Sequence, residues 1–163
     1  MQAYSPRMVH TNEEIEQQLF ILFRRSQAIH VSTRSGEFEL DRSIYGILCL
    51  LDDEGPVRLG TIAHRFRLDP STITRQVQAV VRLGLATKTV DPHDRRAAIL
   101  SLTPVGKETI VNAREHRRKM LYSILGGWTA QQRSDFLAGL RRFNTSVDGW
   151  IDAEHEDDAQ RST

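Results

Sequence analysis

The stretch PVRLGTIAHRFRLDPSTITRQVQAVVRLGLATKTVDPHDRRAAILSLT, residues 56–103, decides the fold. Pro56 through Phe66 reads as a short leading strand and a first helix. Leu68-Asp69-Pro70-Ser71-Thr72 then restarts the chain, with Asp69 suited to the N-cap and Pro70 to the first helical position. The second helix runs through Arg75 and Gln78 to a stop at Gly84. Residues 85–90 and 97–102 alternate as two strands around Asp91-Pro92-His93-Asp94-Arg95-Arg96. Helix, turn, helix and charged hairpin, in that order, make a winged helix-turn-helix, which predicts a protein that binds DNA.

Charge supports this reading. The formal net charge of the whole chain is only +1, but residues 56–103 hold eight basic side chains against three acidic ones, a net of +5. Residues 1–55 hold five basic and nine acidic side chains, and the tail from Asp152 is acidic as well. Positive charge gathered on the reading unit is what attraction to phosphate requires. The competing interpretation is charge scattered over solvated faces.

Working outward, Thr11 or Asn12 followed by Glu14, Glu16 and the apolar set Ile15, Leu19, Phe20, Leu22, Phe23 and Ile29 predicts a long first helix, broken at Ser35-Gly36. Asp41 caps a second helix carrying Ile44, Ile47, Leu48 and Leu51, stopped at Asp52-Asp53-Glu54-Gly55-Pro56. That acidic trio reads as a solvated turn. Thr103-Pro104 opens a long helix that Gly126-Gly127 ends, and Thr129 begins a last helix. The expected fold is mainly α with a small β-hairpin wing. Its parts are residues 1–55 (a dimerisation helix and a support helix), 56–103 (the winged unit), 104–151 (C-terminal dimerisation helices) and 152–163 (a frayed acidic tail).

The outer helices carry more apolar positions than so small a winged unit can cover. Ile15 and Leu19 on the first helix, with Phe136, Leu140, Phe143, Val147 and Trp150 on the last, recur at helical spacing. Burying such stripes gains about 25 cal/mol per Å², which favours a bundle shared with a second copy. The partners expected are therefore duplex DNA and the chain itself. An intramolecular bundle in a monomer is the alternative.

Composition excludes several classes. With 39% hydrophobic residues in 163, no run reaches the roughly 20 apolar residues that span a bilayer, and the start lacks a signal-peptide pattern, so a cytoplasmic protein is expected. One cysteine, Cys49, excludes an internal disulfide, and its apolar neighbours predict a buried, inert thiol. His10, His30, His64, His93, His116 and His155 are dispersed, with no metal-ligand spacing. No nucleophile–base set or phosphate loop is evident, so neither an enzyme nor a cofactor is expected.

The second helix of the motif turns Ile73, Val77 and Val80 inward, which leaves Ser71, Thr72, Thr74, Arg75, Gln76 and Gln78 as candidate readers. Hydroxyls bond phosphate or base edges, Arg grips guanine in a fork, and Gln pairs with adenine. Helix amides near Ser71 are a candidate phosphate site, and Gln76 faces either DNA or the first helix of the motif. In the wing, Asp91-Pro92 favours a turn that places Arg95 and Arg96 near the tip, where a narrow minor groove attracts arginine. Asp94 is expected either to orient a guanidinium or to form a surface ion pair with Arg96.

Here a resemblance enters. Asp94-Arg95-Arg96-Ala97-Ala98-Ile99-Leu100-Ser101-Leu102-Thr103 matches the D-x-R-x5-L-T wing signature of the MarR family, the multiple antibiotic resistance regulators. Leu68 through Arg75 resembles that family's recognition-helix opening, Leu83-Gly84-Leu85 its helix-to-wing junction, and Thr103-Pro104-Val105-Gly106-Lys107 the start of the next helix. The resemblance covers about residues 12–151. It implies a triangular homodimer with entwined first and last helices, a pseudo-palindromic operator, and repression relieved by a small molecule. Gln78 and Ala79 depart from the charged residues common there, which bears on operator sequence and not on binding mode. The family's phenolic or aromatic effectors point to Phe23, His30 and Tyr45 as pocket candidates. A redox-responsive regulator and a winged-helix protein-interaction module are the alternatives.

Overall fold

The structure is a computed structural model that describes residues 6–26, 31–32 and 39–161. Six helices are described: α1 (Pro6–Ser26), α2 (Arg42–Glu54), α3 (Leu59–Phe66), α4 (Pro70–Arg82), α5 (Pro104–Ile124) and α6 (Ala130–Arg161). Five short strands accompany them: β1 (Val31–Ser32), β2 (Glu39–Leu40), β3 (Val57–Arg58), β4 (Ala86–Val90) and β5 (Ala98–Leu102). The chain divides into two compact units, Met1–Arg118 and Lys119–Thr163.

The first unit is built around the winged helix-turn-helix. Its antiparallel sheet has the order β3-β5-β4, with Val57 opposite Leu100 and Ala86 opposite Leu102. Ile73, Val77 and Val80 of α4 are buried, as their spacing predicts. They meet Ile44, Ile47, Leu48 and Leu51 of α2, Ile62 of α3, Leu100 of β5, and Ile110 and Ala113 of α5. Helices α2 and α5 thus supply much of the core on which the reading unit stands.

Local chemistry sets the boundaries. The Asp41 carboxylate accepts from Ile44 N–H at 2.8 Å and starts α2, and Gly55, at φ 79°, ends it. Arg67 turns the chain out of α3 in the left-handed region, φ 51°. Thr103 Oγ1 accepts from Gly106 N–H at 3.0 Å, opening α5. In the second unit Thr129 and Gln132 cap α6 reciprocally: each side chain accepts from the other's backbone N–H, at 3.2 and 2.9 Å. Trp128 meets Phe136 edge to face, 5.3 Å between ring centroids.

Four expectations need correction. Helix α1 begins at Pro6, a residue suited to a first helical turn, so Thr11 and Asn12 lie inside it. It ends at Ser26, ahead of the expected break, and the next described residues form the β1–β2 pair, Val31 opposite Leu40. Ile29 and Ser35-Gly36 fall outside the described residues. Finally, Asp52-Asp53-Glu54 is not a solvated turn but the last residues of α2. Arg114 of α5 spans Asp52 at 3.1 Å and Asp53 at 2.7 Å, and Arg65 of α3 reaches Glu54 at 3.2 Å. Helix α6 also continues to Arg161, past the Asp152 from which a frayed tail was expected.

One glycine is dictated by contact. A Cβ on Gly106 would lie 1.8 Å from the Leu85 carbonyl oxygen, whereas a Cβ on Gly60 meets nothing within 4 Å. Gly106→Ala is therefore expected to cost about 1–3 kcal/mol, as overpacking against a fixed backbone does, in urea unfolding. Gly60→Ala should stay within about 1 kcal/mol of the parent in the same assay.

Candidate nucleic-acid interface

The reading face starts at the α4 N-terminus. Asp69 is the N-cap and Pro70 the first residue, as expected. The Asp69 carboxylate collects three donors: Thr72 N–H at 2.9 Å, Thr72 Oγ1 at 2.6 Å, and the Ser71 hydroxyl. Those hydrogen bonds, Ser71's first, hold its pKa well below the usual carboxylate range. An anionic side chain thus already occupies the helix end where a phosphate was expected, and Thr72 N–H is spent on it. The Ser71 and Thr72 hydroxyls are likewise committed as donors in the free protein.

Beyond this cap the face opens outward. Ser71, Thr74, Arg75 and Gln78 are exposed, while Thr72 and Gln76 are half-buried. Thr74 Oγ1 donates to the Pro70 carbonyl at 2.7 Å, one turn back. Arg75 Nη2 leans toward Thr72 Oγ1 at 3.5 Å, so its guanidinium lies along the first turn of α4. Arg75 and Gln78 are then the candidate readers whose polar groups stay largely uncommitted.

In the wing, the tight turn sits later than Asp91-Pro92 suggested. Ala97 N–H donates to the Asp94 carbonyl at 2.8 Å, so Arg95 and Arg96 occupy the two central positions of a β-turn. The Asp94 carboxylate accepts from Arg96 backbone N–H at 2.9 Å, not from a guanidinium. Asp94 therefore shapes the turn through both its carbonyl and its carboxylate. Arg95 and Arg96 are both exposed.

Sequence reasoning missed the anchor of this hairpin. Asp91 is only 2% exposed, accepts from Arg58 Nε at 2.6 Å, and accepts from His93 N–H at 2.8 Å. The His93 N–H and then the Arg58 guanidinium keep its carboxylate below the ordinary range, against the cost of desolvation. A lone acid before Pro92 carries no trace of a partner 33 residues earlier.

The effector candidates are less unified. Phe23 lies in an exposed depression made by α1 alone, with Asn12, Ile15, Glu16, Leu19 and Phe20. Tyr45 is half-buried on α2 with the Arg117 guanidinium 4.2 Å from its ring centroid. Burial, and then the neighbouring Cys49, push the Tyr45 phenol above its ordinary value. His30 lies outside the described residues. Cys49 is half-buried, not fully enclosed. No group of three metal-ligating side chains occurs among the described residues, and no described helix is long and apolar enough to cross a membrane.

Comparison with known proteins agrees with this architecture. A family model described as MarR family matches residues 40–98. The HTH-type transcriptional regulator YxaD of Bacillus subtilis is 33% identical over 133 residues, spanning 81% of this chain and 92% of the relative. A MarR family protein from Bacillus stearothermophilus has a similar structure, with a TM-score of 0.69 at 22% identity, covering 90% of this chain and 99% of that one. BpsR of Bordetella bronchiseptica, described by the regulation of its DNA binding by 6-hydroxynicotinic acid, gives 0.59 at 24% identity, covering 78% and 98%.

The cap has a pH signature. The depressed Asp69 pKa means its stabilisation is fully present above the ordinary aspartate value of 3.8 and is lost as pH falls below it, toward the folded value. Asp69→Ala is expected to lower the melting temperature at neutral pH and to bring it closer to the parent at pH 3, read by circular dichroism. An equal offset at both pH values would remove Asp69 from this role.

Proposed function

The chain belongs to the MarR family of transcriptional regulators, and from that membership we propose that it is a cytoplasmic, homodimeric repressor whose hold on DNA is released by a small aromatic or phenolic molecule. The observation that carries the DNA-binding part is one helix with two faces. Helix α4 buries Ile73, Val77 and Val80 and turns Ser71, Thr74, Arg75 and Gln78 outward, beside a wing with two exposed arginines. Each α4 enters a major groove, where Arg75 forks onto a guanine and Gln78 meets an adenine edge. Gln76 completes the contact through phosphate and sugar, and Ser71, Thr72 and Thr74 join it by turning their hydroxyls from Asp69 and the Pro70 carbonyl onto DNA. Each wing lays Arg95 and Arg96 against the flanking minor groove, with Asp94 holding their turn.

Two-fold pairing supplies the spacing. Ile15 of α1 is exposed and Leu19 half-buried; on α6, Phe136, Leu140, Phe143 and Trp150 are exposed and Val147 is half-buried. Trp150 alone is 62% exposed, an arrangement that water disfavours and a second copy relieves. The half-sites then lie about one helical turn, roughly 10 base pairs, apart. Support for an effector comes from the BpsR likeness, whose named ligand is an aromatic hydroxy acid. Phe23, His30 and Tyr45 are the residues through which such a molecule would act. It must bind one lobe arrangement better than the other to release DNA.

Selection of bound fragments from random duplexes tests this reading. A two-fold symmetric site is expected, and Arg75→Ala should cost about 1–3 kcal/mol on it and relax discrimination at one base position. Light scattering should give twice the chain mass. A monomer mass, or an asymmetric site that Arg75→Ala binds as well as the parent, would contradict the proposal.

A further inference from the structure

A charged pair ties the wing to the helix-turn-helix across the three-stranded sheet. Arg58 ends β3 and Asp91 follows the last residue of β4, the two outer strands, and β5 runs between them. The register sets Arg58 opposite Ile99 and Ile99 opposite Thr89, so these three side chains share one face. Asp91 N–H donates to the Ala97 carbonyl at 3.0 Å, which carries the ladder past β4 and keeps Asp91 on the face of Thr89. The Arg58 side chain therefore reaches across the middle strand to meet the Asp91 carboxylate at 2.6 Å.

The two partners are unequally exposed: the Asp91 side chain is 2% exposed and that of Arg58 53%. A carboxylate so enclosed is tolerated when it is paired and hydrogen-bonded. Its donors come from two directions, Arg58 Nε to Oδ2 from β3 and His93 N–H to Oδ1 from the wing loop. Arg58 directly precedes α3, and His93 leads to the Arg95–Arg96 turn, so one side chain joins the start of a helix to the approach of the wing tip. The base of the hairpin is held separately, by Thr103 N–H on the Leu85 carbonyl at 3.1 Å. The pair acts at the opposite end, beside the turn.

We propose that Arg58 and Asp91 are positioning residues for minor-groove recognition: their link across the sheet sets the direction in which the wing turn presents Arg95 and Arg96. The proposal rests on the DNA-binding reading above. Neither residue touches DNA in this role. A wing held at both ends meets the groove already ordered, whereas one held only at its base spends affinity on ordering.

The test uses the full chain, a duplex selected from random sequences, and the variants Arg58→Gln and Asp91→Asn. Charge alone moves them in opposite directions, since loss of a cation weakens DNA binding and loss of an anion strengthens it. Loss of the link instead weakens both several-fold, and removes adenine N3 interference at the flanks while guanine N7 interference persists. Arg58→Gln is also combined with Arg95→Ala and Arg96→Ala, at an ionic strength where that wing variant still binds. There Arg58→Gln is expected to cost nothing further, whereas an arginine that itself contacts DNA costs the same with or without the wing arginines. Arg58 is half in solvent, so its variant is expected to keep the parent fold by circular dichroism; if Asp91→Asn does not fold, this combination decides alone. Parent-like or tighter binding by either variant, an Arg58→Gln cost that persists without the wing arginines, or joint loss of guanine and adenine interference would overturn the positioning role alone. A parent that binds no duplex at all would overturn the DNA-binding reading, and this role with it.

Discussion

The carbonyls of Gly84 and Leu85 are both gripped by Thr103, which donates its hydroxyl to the first at 2.7 Å and its N–H to the second at 3.1 Å. Leu85 N–H in turn donates to Val80 of α4 at 3.1 Å, and Gly106 of α5 packs where any Cβ would strike the Leu85 oxygen. One short segment therefore joins the end of the recognition helix, both wing strands and the start of α5. Bonds at this density leave little freedom between α4 and the wing. A groove-reading helix and a hairpin for the adjacent groove must keep a fixed offset, and this junction sets it. The Arg58–Asp91 pair secures the far end of the same hairpin to β3.

Within that frame the polar groups are unequally available. Asp69 gives α4 a strong start but absorbs the donors of Ser71 and Thr72 and places a negative charge at the helix end proposed to meet DNA. Stability of the reading helix and attraction to phosphate thus pull against each other at its first turn. The cations that offset this lie elsewhere: Arg75 along α4 and Arg95 and Arg96 on the wing. Affinity is in this view spread around the rim of the surface, and discrimination concentrated at Arg75 and Gln78.

Much of this was legible in the sequence, because it is written locally. Asp69-Pro70 marks a helix start through an N-cap and a pre-set φ, and Gly84, at φ 70°, marks its end. Strands predicted at residues 85–90 and 97–102 are found as Ala86–Val90 and Ala98–Leu102. What escaped depends on separation along the chain. Arg114 meets Asp53 across 61 residues and Arg58 meets Asp91 across 33, and neither pair leaves a periodic trace. The role of Asp94 escaped for a different reason: a short carboxylate beside two arginines suggests an ion pair, but the nearer peptide N–H wins.

The central claim is that α4 and the wing act as a single cationic reader, doubled by a two-fold axis. Methylation interference on a selected duplex addresses it most directly, because guanine N7 reports the major groove and adenine N3 the minor groove. The account predicts two guanine clusters about one helical turn apart, each flanked on its outer side by adenine interference. A single cluster without symmetry, or interference confined to one kind of groove, would contradict it.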